Sequence, residues 1–288
     1  MITLLHQAFI QNAFLAGTII GIVSAIVGYF VVLRAQSFAA ESLTDIGFAG
    51  ATGAALLGVS SLLGMIIFTL IAAFSMGALG KRLQGRDIEV GMILSFALGL
   101  GVLFLHLYTS SSTEAIGVLF GSILSVTGFD VLLTLIFGIV ILCILAFLYR
   151  PLLFSSIDPE VAQARGVPVS LLSIVFMLLL AVTIAEAIQV VGILLIFALL
   201  IAPAAAAQHI TKKPSSAILI SVVLSLFFTW GGLLLALFGQ FPVSFYIATL
   251  ASLTYFISIT WGHRFFPHTY HAPLHAPKHI EQKSTLHE

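Results

Sequence analysis

Residues 8–33 read AFIQNAFLAGTIIGIVSAIVGYFVVL, a run with no charged side chain. A helix that crosses a bilayer needs about 20 mostly apolar residues, because 1.5 Å per residue must cover roughly 30 Å of hydrocarbon. This stretch meets that length, so its natural solvent is lipid. The remainder of the chain agrees. Of 288 residues, 60% are hydrophobic and 8% charged, with a mean hydropathy of +1.19, whereas a soluble domain carries about 25% charged residues. Lys plus Arg and Asp plus Glu are 11 each, for a net charge of zero. Such a chain cannot cover a water-facing surface, which excludes a cytosolic enzyme, a secreted domain and a basic nucleic-acid binder. A single cysteine, Cys143, allows neither an internal disulfide nor a thiolate cluster. No Lys or Arg precedes the first apolar run, which is too long for a signal-peptide core, so no signal peptide is expected.

Working outward from this run, the charges cut the chain into further pieces of membrane length. The second span starts near Ser37 and contains Glu41 and Asp45; Gly58-Val59-Ser60-Ser61 separates it from a third at about 62–79. Others follow at roughly 89–108, 130–149, 170–186, 188–208, 215–237 and 244–262. The expectation is an all-α polytopic membrane protein with about nine transmembrane helices, eight being the alternative count. The least secure boundary is Glu186-Ala187-Ile188-Gln189, which leaves very little room for a turn. Threading nine spans puts Arg34, Lys81, Arg82, Arg86, Arg150, Arg165, Lys212, Lys213, Arg264, Lys278 and Lys283 on one side. Cytoplasmic loops hold the basic excess, so the N-terminus is expected outside and the C-terminus inside.

Small residues mark where helices can approach closely in lipid: Gly17 and Gly21, Gly47, Gly50, Gly53 and Ala54, and Gly117 and Gly121. Pro203 is expected to kink its helix. The outer stretch Thr109–Phe129 reads as a short re-entrant or interfacial helix. Residues 1–264 then form a membrane domain, and residues 265–288, with Pro267, Pro273 and Pro277, a disordered cytoplasmic tail.

Ionisable groups inside a span are costly and point to function. Glu41 and Asp45 stand at i and i+4, one turn apart on one helix face. Two like charges so placed call for a cation or a proton between them, and carboxylate oxygens suit a divalent cation. The simpler possibility is that Glu41 pairs with Arg34. The tail histidines His268, His271, His275 and His279 recur every three or four residues and could gather zinc-like ions, or lie in solvent without a specific role. His106 and His209 read as interfacial residues. Glu114, Asp130 and Glu186 read as outer-side carboxylates that could dock a binding protein or attract cations, most simply solvated loop residues.

The loop 157–168, IDPEVAQARGVP, carries a helix of about two turns. Asp158 can cap it, Pro159 fits its first turn, Glu160 favours the positive end of the dipole, and Gly166 can close it. So short a helix is marginal alone, which suggests that it docks against something.

Asp158-Pro159-Glu160 with Gly166 and Pro168 resembles the coupling helix in the membrane subunits of bacterial ABC importers for zinc, manganese and iron, which makes Asp158, Pro159, Glu160, Arg165 and Gly166 the expected ATPase contact. The stretch from Leu33-Arg34 through Phe38, Glu41-Ser42-Leu43-Thr44-Asp45 and Gly50 is similar to that family's second-helix motif. Leu119-Phe120-Gly121-Ser122-Ile123-Leu124 resembles its outer-loop signature, and Gln189 through Ala205 its best-marked helix. The likeness covers about residues 9–262. It implies a homodimeric permease in the bacterial cytoplasmic (inner) membrane that works with cytoplasmic ATP-binding subunits and an external metal-binding protein. Where the family usually has Asp and then His four residues on, this chain has Glu41 and Asp45, an imidazole replaced by a carboxylate. No phosphate-cradling Gly-x4-Gly-Lys-Ser/Thr loop is present: Gly77, Gly80 and Lys81 have the wrong spacing. The chain is therefore expected to be a transport subunit and not an enzyme, with no permanently bound cofactor and a divalent transition metal as cargo. The main rival is an ion-coupled secondary transporter in which Glu41 and Asp45 carry protons; paired broken helices in two repeated halves, the usual sign of one, are not found. A structural membrane protein is the third class, and it has no need of buried acids.

Overall fold

A computed structural model describes residues 7–79, 87–107, 121 and 123–265. These residues form helices and connecting turns, and no strand occurs among them. The elements are α1 (Ala8–Leu33), α2 (Ser37–Leu56), α3 (Ser61–Leu79), α4 (Asp87–Leu107), a 3-10 turn (Ile123–Ser125), α5 (Gly128–Ile157), α6 (Pro159–Ala164), α7 (Val169–Val191), α8 (Ile193–Ile210), α9 (Pro214–Phe238) and α10 (Val243–Phe265). All but α6 and the 3-10 turn have 18 or more residues, and seven of them are long and apolar enough to cross a membrane. The protein is a multi-pass α-helical membrane protein. The helices α2 and α4 are 20 and 21 residues long but fall outside the seven; in α2 the cause is the acids Glu41 and Asp45 together with its glycines.

The core is built around α1, which packs on α5, α8 and α9, while α2, α3, α4 and α7 pack as a second group beside it. Phe30, fully buried, sets its ring edge-on to Tyr149 of α5 and Phe176 of α7. Lipid tails are as apolar as leucine, so membrane helices gain from close approach more than from apolar character. Two crossings show how close: a Cβ on Gly28 would lie 1.8 Å from the Leu200 carbonyl oxygen, and one on Gly50 2.4 Å from that of Gly64. Gly17 and Gly21 face Thr229 and Ser225 of α9, so those small residues seat helices within the chain. Pro203 lies inside α8 and Pro151 inside α5.

Four expectations change. The boundary set at Glu186–Gln189 lies at Gly192, because helix α7 continues to Val191 and the chain breaks only where Gly192 takes φ +84°. A side chain rarely adopts that conformation, and glycine adopts it freely. Glu186 is consequently not a solvated loop carboxylate; it is 7% exposed inside α7. Asp130 is no free loop acid either. Its Oδ2 accepts from the Thr127 N–H at 2.9 Å while Thr127 Oγ1 accepts from the Asp130 N–H at 3.3 Å, a capping box that starts α5. That helix runs past the expected end at 149 to Ile157. Of the outer stretch 109–129, only residue 121 and residues 123–129 are described, so the re-entrant helix falls largely outside the described residues. Gly121, at φ +74°, presses on the backbone at Val191 and Gly192, and Asn12 Nδ2 of α1 donates to the Val126 carbonyl at 3.2 Å.

Candidate cation pathway and coupling helix

Helix α2 begins after a tight turn in which Ala35 takes φ +53°. One side of the helix, with Leu43, Ile46 and Phe48, is buried. Ser42, Thr44 and Thr52 return their hydroxyls to backbone carbonyls one turn back, at 2.9, 2.9 and 3.0 Å, so their polar groups are satisfied within α2. On its remaining face Glu41 is exposed and Asp45 half-buried. Their Cβ atoms lie about 5–6 Å apart, as i and i+4 positions do.

Arg34 does not neutralise them. Its Nη1 donates to Ser156 Oγ of α5 at 3.3 Å, and its guanidinium lies 5.4 Å from the Phe176 ring centre of α7. The pairing of Glu41 with Arg34 is thereby overturned. Among the described residues neither acid has a basic partner, and no group of three or more His, Cys, Asp and Glu that could hold a metal comes together. One chain thus presents two carboxylates on an outward face, too few oxygens to enclose a divalent ion.

The short helix α6 is closed at both ends. Asp158 Oδ1 accepts from the Glu160 and Val161 N–H groups at 3.2 and 3.0 Å, with Pro159 in the first turn. At the other end the Val167 N–H reaches the Ala162 carbonyl and the Gly166 N–H the Gln163 carbonyl, each at 3.0 Å, with Gly166 at φ +83°. This pair of bonds is a Schellman closure. Ala162 is fully buried and Arg165 lies 5.8 Å from the Phe154 ring of α5. Glu160, Val161, Gln163 and Arg165 remain exposed: a small, rigid, outward-facing knob fixed to the end of α5. It does not approach the acids of α2 closely enough for any hydrogen bond or ion pair between them among the described residues.

His106 and His209 are exposed at the ends of α4 and α8, His209 beside Tyr255 with ring centres 6.1 Å apart. The tail histidines 268, 271, 275 and 279 and Glu114 lie outside the described residues. Sequence reasoning missed the contact of Thr134 with Glu186, whose oxygens are 2.8 Å apart across α5 and α7. The available signal was a glutamate with apolar neighbours at helical spacing in place of turn residues.

A bundle of membrane-length helices, an acidic stripe without a basic partner among the described residues and a rigid capped knob together define a multi-pass membrane transport subunit. The sequence profile of the ABC 3 transport family matches residues 6–262, and the chain belongs to that family. It is 31% identical over 235 residues to the manganese transport system membrane protein MntC of Listeria monocytogenes, covering 79% of this chain and 84% of that one. It is 30% identical over 227 residues to the high-affinity zinc uptake system membrane protein ZnuB of Haemophilus influenzae, covering 78% and 87%. Among solved structures it superposes with a TM-score of 0.80 and 29% identity on a chain of PsaBC from Streptococcus pneumoniae in complex with Fab, over 90% of this chain and 95% of the other.

Proposed function

We propose that the protein is the transmembrane permease subunit of an ATP-driven importer of a divalent transition metal, manganese, iron or zinc, in the bacterial cytoplasmic membrane. Its relatives carry the names of manganese and zinc uptake proteins, which favours this reading over an ion-coupled carrier. The observation that carries the mechanism is the pair Glu41 and Asp45, two acids one turn apart with no basic partner among the described residues. A second copy of the chain brings two more carboxylates to the same axis, completing an oxygen-rich pathway for a hard divalent cation. Nine spans place the N-terminus outside and the C-terminus inside, with residues 1–264 as the permease domain and 265–288 as a cytoplasmic tail whose histidines collect metal.

The energy comes from cytoplasmic ATP-binding subunits, since the chain carries no phosphate loop of its own. They dock on α6, where Asp158, Pro159, Glu160, Arg165 and Gly166 form the rigid contact. An external metal-binding protein delivers the cargo from the other side. Reconstitution tests this: uptake requires the ATP-binding partner, and full metal uptake by this chain alone in proteoliposomes contradicts the reading.

A further inference from the structure

The most buried acid among the described residues lies away from the α2 stripe. Glu186 is 7% exposed, and Thr134 opposite it on α5 is 2% exposed. Thr134 Oγ1 lies 2.8 Å from Glu186 Oε1 and also 2.8 Å from the Asp130 carbonyl oxygen. A hydroxyl has one proton. The one Thr134 proton can serve either Oε1 or the carbonyl, and both short contacts are hydrogen bonds together only when a second proton lies between Oγ1 and Oε1. The carboxyl group is the group that can carry it.

The other carboxyl oxygen, Oε2, is buried without a partner, and so is Ser24 Oγ on α1, fully buried. Both residues line one cavity between α1, α5 and α7 with Thr183, Ile20 and Ile141, and it has room for about one water molecule. Thr183 returns its hydroxyl to the Leu179 carbonyl at 2.8 Å. No side chain lining the cavity is basic, α3, which also packs on α7, has no titratable side chain, and the neighbouring acid is Asp130. Among the described residues nothing here balances an ionised carboxylate, which is costly at membrane depth.

We propose that Glu186, Thr134 and Ser24 form a proton-binding site inside the membrane domain, Glu186 donating its proton from Oε1 to Thr134 Oγ1 and presenting Oε2 to a water shared with Ser24. The site is separate from the Glu41–Asp45 stripe and does not depend on the cargo. It joins α5 to α7 through a neutral hydrogen-bonded chain that ends at the Asp130 carbonyl.

Infrared difference spectroscopy of the full-length protein in lipid, comparing wild type with Glu186→Gln, tests it. The expected result is a protonated-carboxyl C=O band that is lost in Glu186→Gln, moves down in D2O, and moves up in Thr134→Val, where the hydrogen bond is gone. Because the amide of Gln supplies the same donor and acceptor, the melting temperature of Glu186→Gln should stay near that of wild type. A difference spectrum with only ionised-carboxylate bands overturns the proposal, as does a carboxylate band that responds to exchanging sodium for potassium, which would assign a bound cation.

Discussion

The guanidinium of Arg34 lies 5.4 Å from the ring centre of Phe176 and donates to Ser156, which commits the one basic residue near the start of α2 to α5 and α7. Among the described residues, Glu41 and Asp45 are thus left without a counter-charge. A stacked, partly desolvated cation over an aromatic ring contributes about 0.5–2 kcal/mol, and lysine cannot reproduce the planar stacking. Arg34→Lys should therefore lower thermal stability by about that amount while leaving metal preference unchanged, read by melting in detergent beside competitive uptake. A changed metal preference would tie Arg34 to the acids after all.

The closure of α6 depends on Gly166 at φ +83°. A Cβ in the left-handed conformation costs roughly 1–2 kcal/mol, enough to loosen the last turn of a six-residue helix without disturbing the apolar spans. Gly166→Ala and Glu160→Ala should leave insertion intact and uncouple ATP hydrolysis from uptake in the reconstituted complex. Parallel assays of phosphate release and metal uptake check this, and unchanged coupling in both variants would remove α6 from the ATPase contact.

Labelling fixes the topology. With Cys143 replaced by alanine, single cysteines at Ser60 and Gln240 should react with an impermeant reagent from outside, and those at Gln163 and Thr211 only after the membrane is opened. All four positions are half-buried or exposed, so burial does not mask the answer. Outside reactivity at Gln163 would invert the orientation.

The spans were legible because a 26-residue run without charge, such as Ala8–Leu33, has few other ways to meet its solvent, and the caps of α6 because Asp158 and Gly166 stand where helix ends need them. The α7–α8 break was misplaced because Glu186 and Gln189 look like loop residues. In a membrane bundle a polar side chain can remain in a helix if a neighbouring helix answers it, and Thr134 is far away in sequence. Gly192, apolar by composition, gave the true break through its backbone freedom alone. For the acids the sequence showed spacing but not surroundings: only the fold shows Arg34 turned away.

Deleting residues 267–288 removes five histidines, His268, His271, His275, His279 and His287, and none of the described helices. Insertion and dimerisation should be unchanged, and micromolar zinc binding by calorimetry should be lost. An unchanged isotherm would leave the histidines without a role in metal collection.

With Asp45 where the family usually has an imidazole, the proposed pathway is all-carboxylate. Oxygen sites suit manganese and ferrous iron, while zinc more often takes nitrogen or sulfur. Asp45→His should keep transport and shift preference towards zinc, measured by competition between zinc and manganese. Since zinc binds tightly to almost any such site, the shift is partial; no shift at all would place selectivity outside α2.

Uptake of radiolabelled manganese by the full complex in proteoliposomes, comparing wild type, Glu41→Gln and Asp45→Asn at matched expression, decides whether the two acids carry the metal. Removing a charge eases membrane burial, so both variants should insert normally. The acidic pathway predicts uptake abolished in Asp45→Asn and strongly reduced in Glu41→Gln; normal uptake in both would make the two carboxylates structural and contradict it.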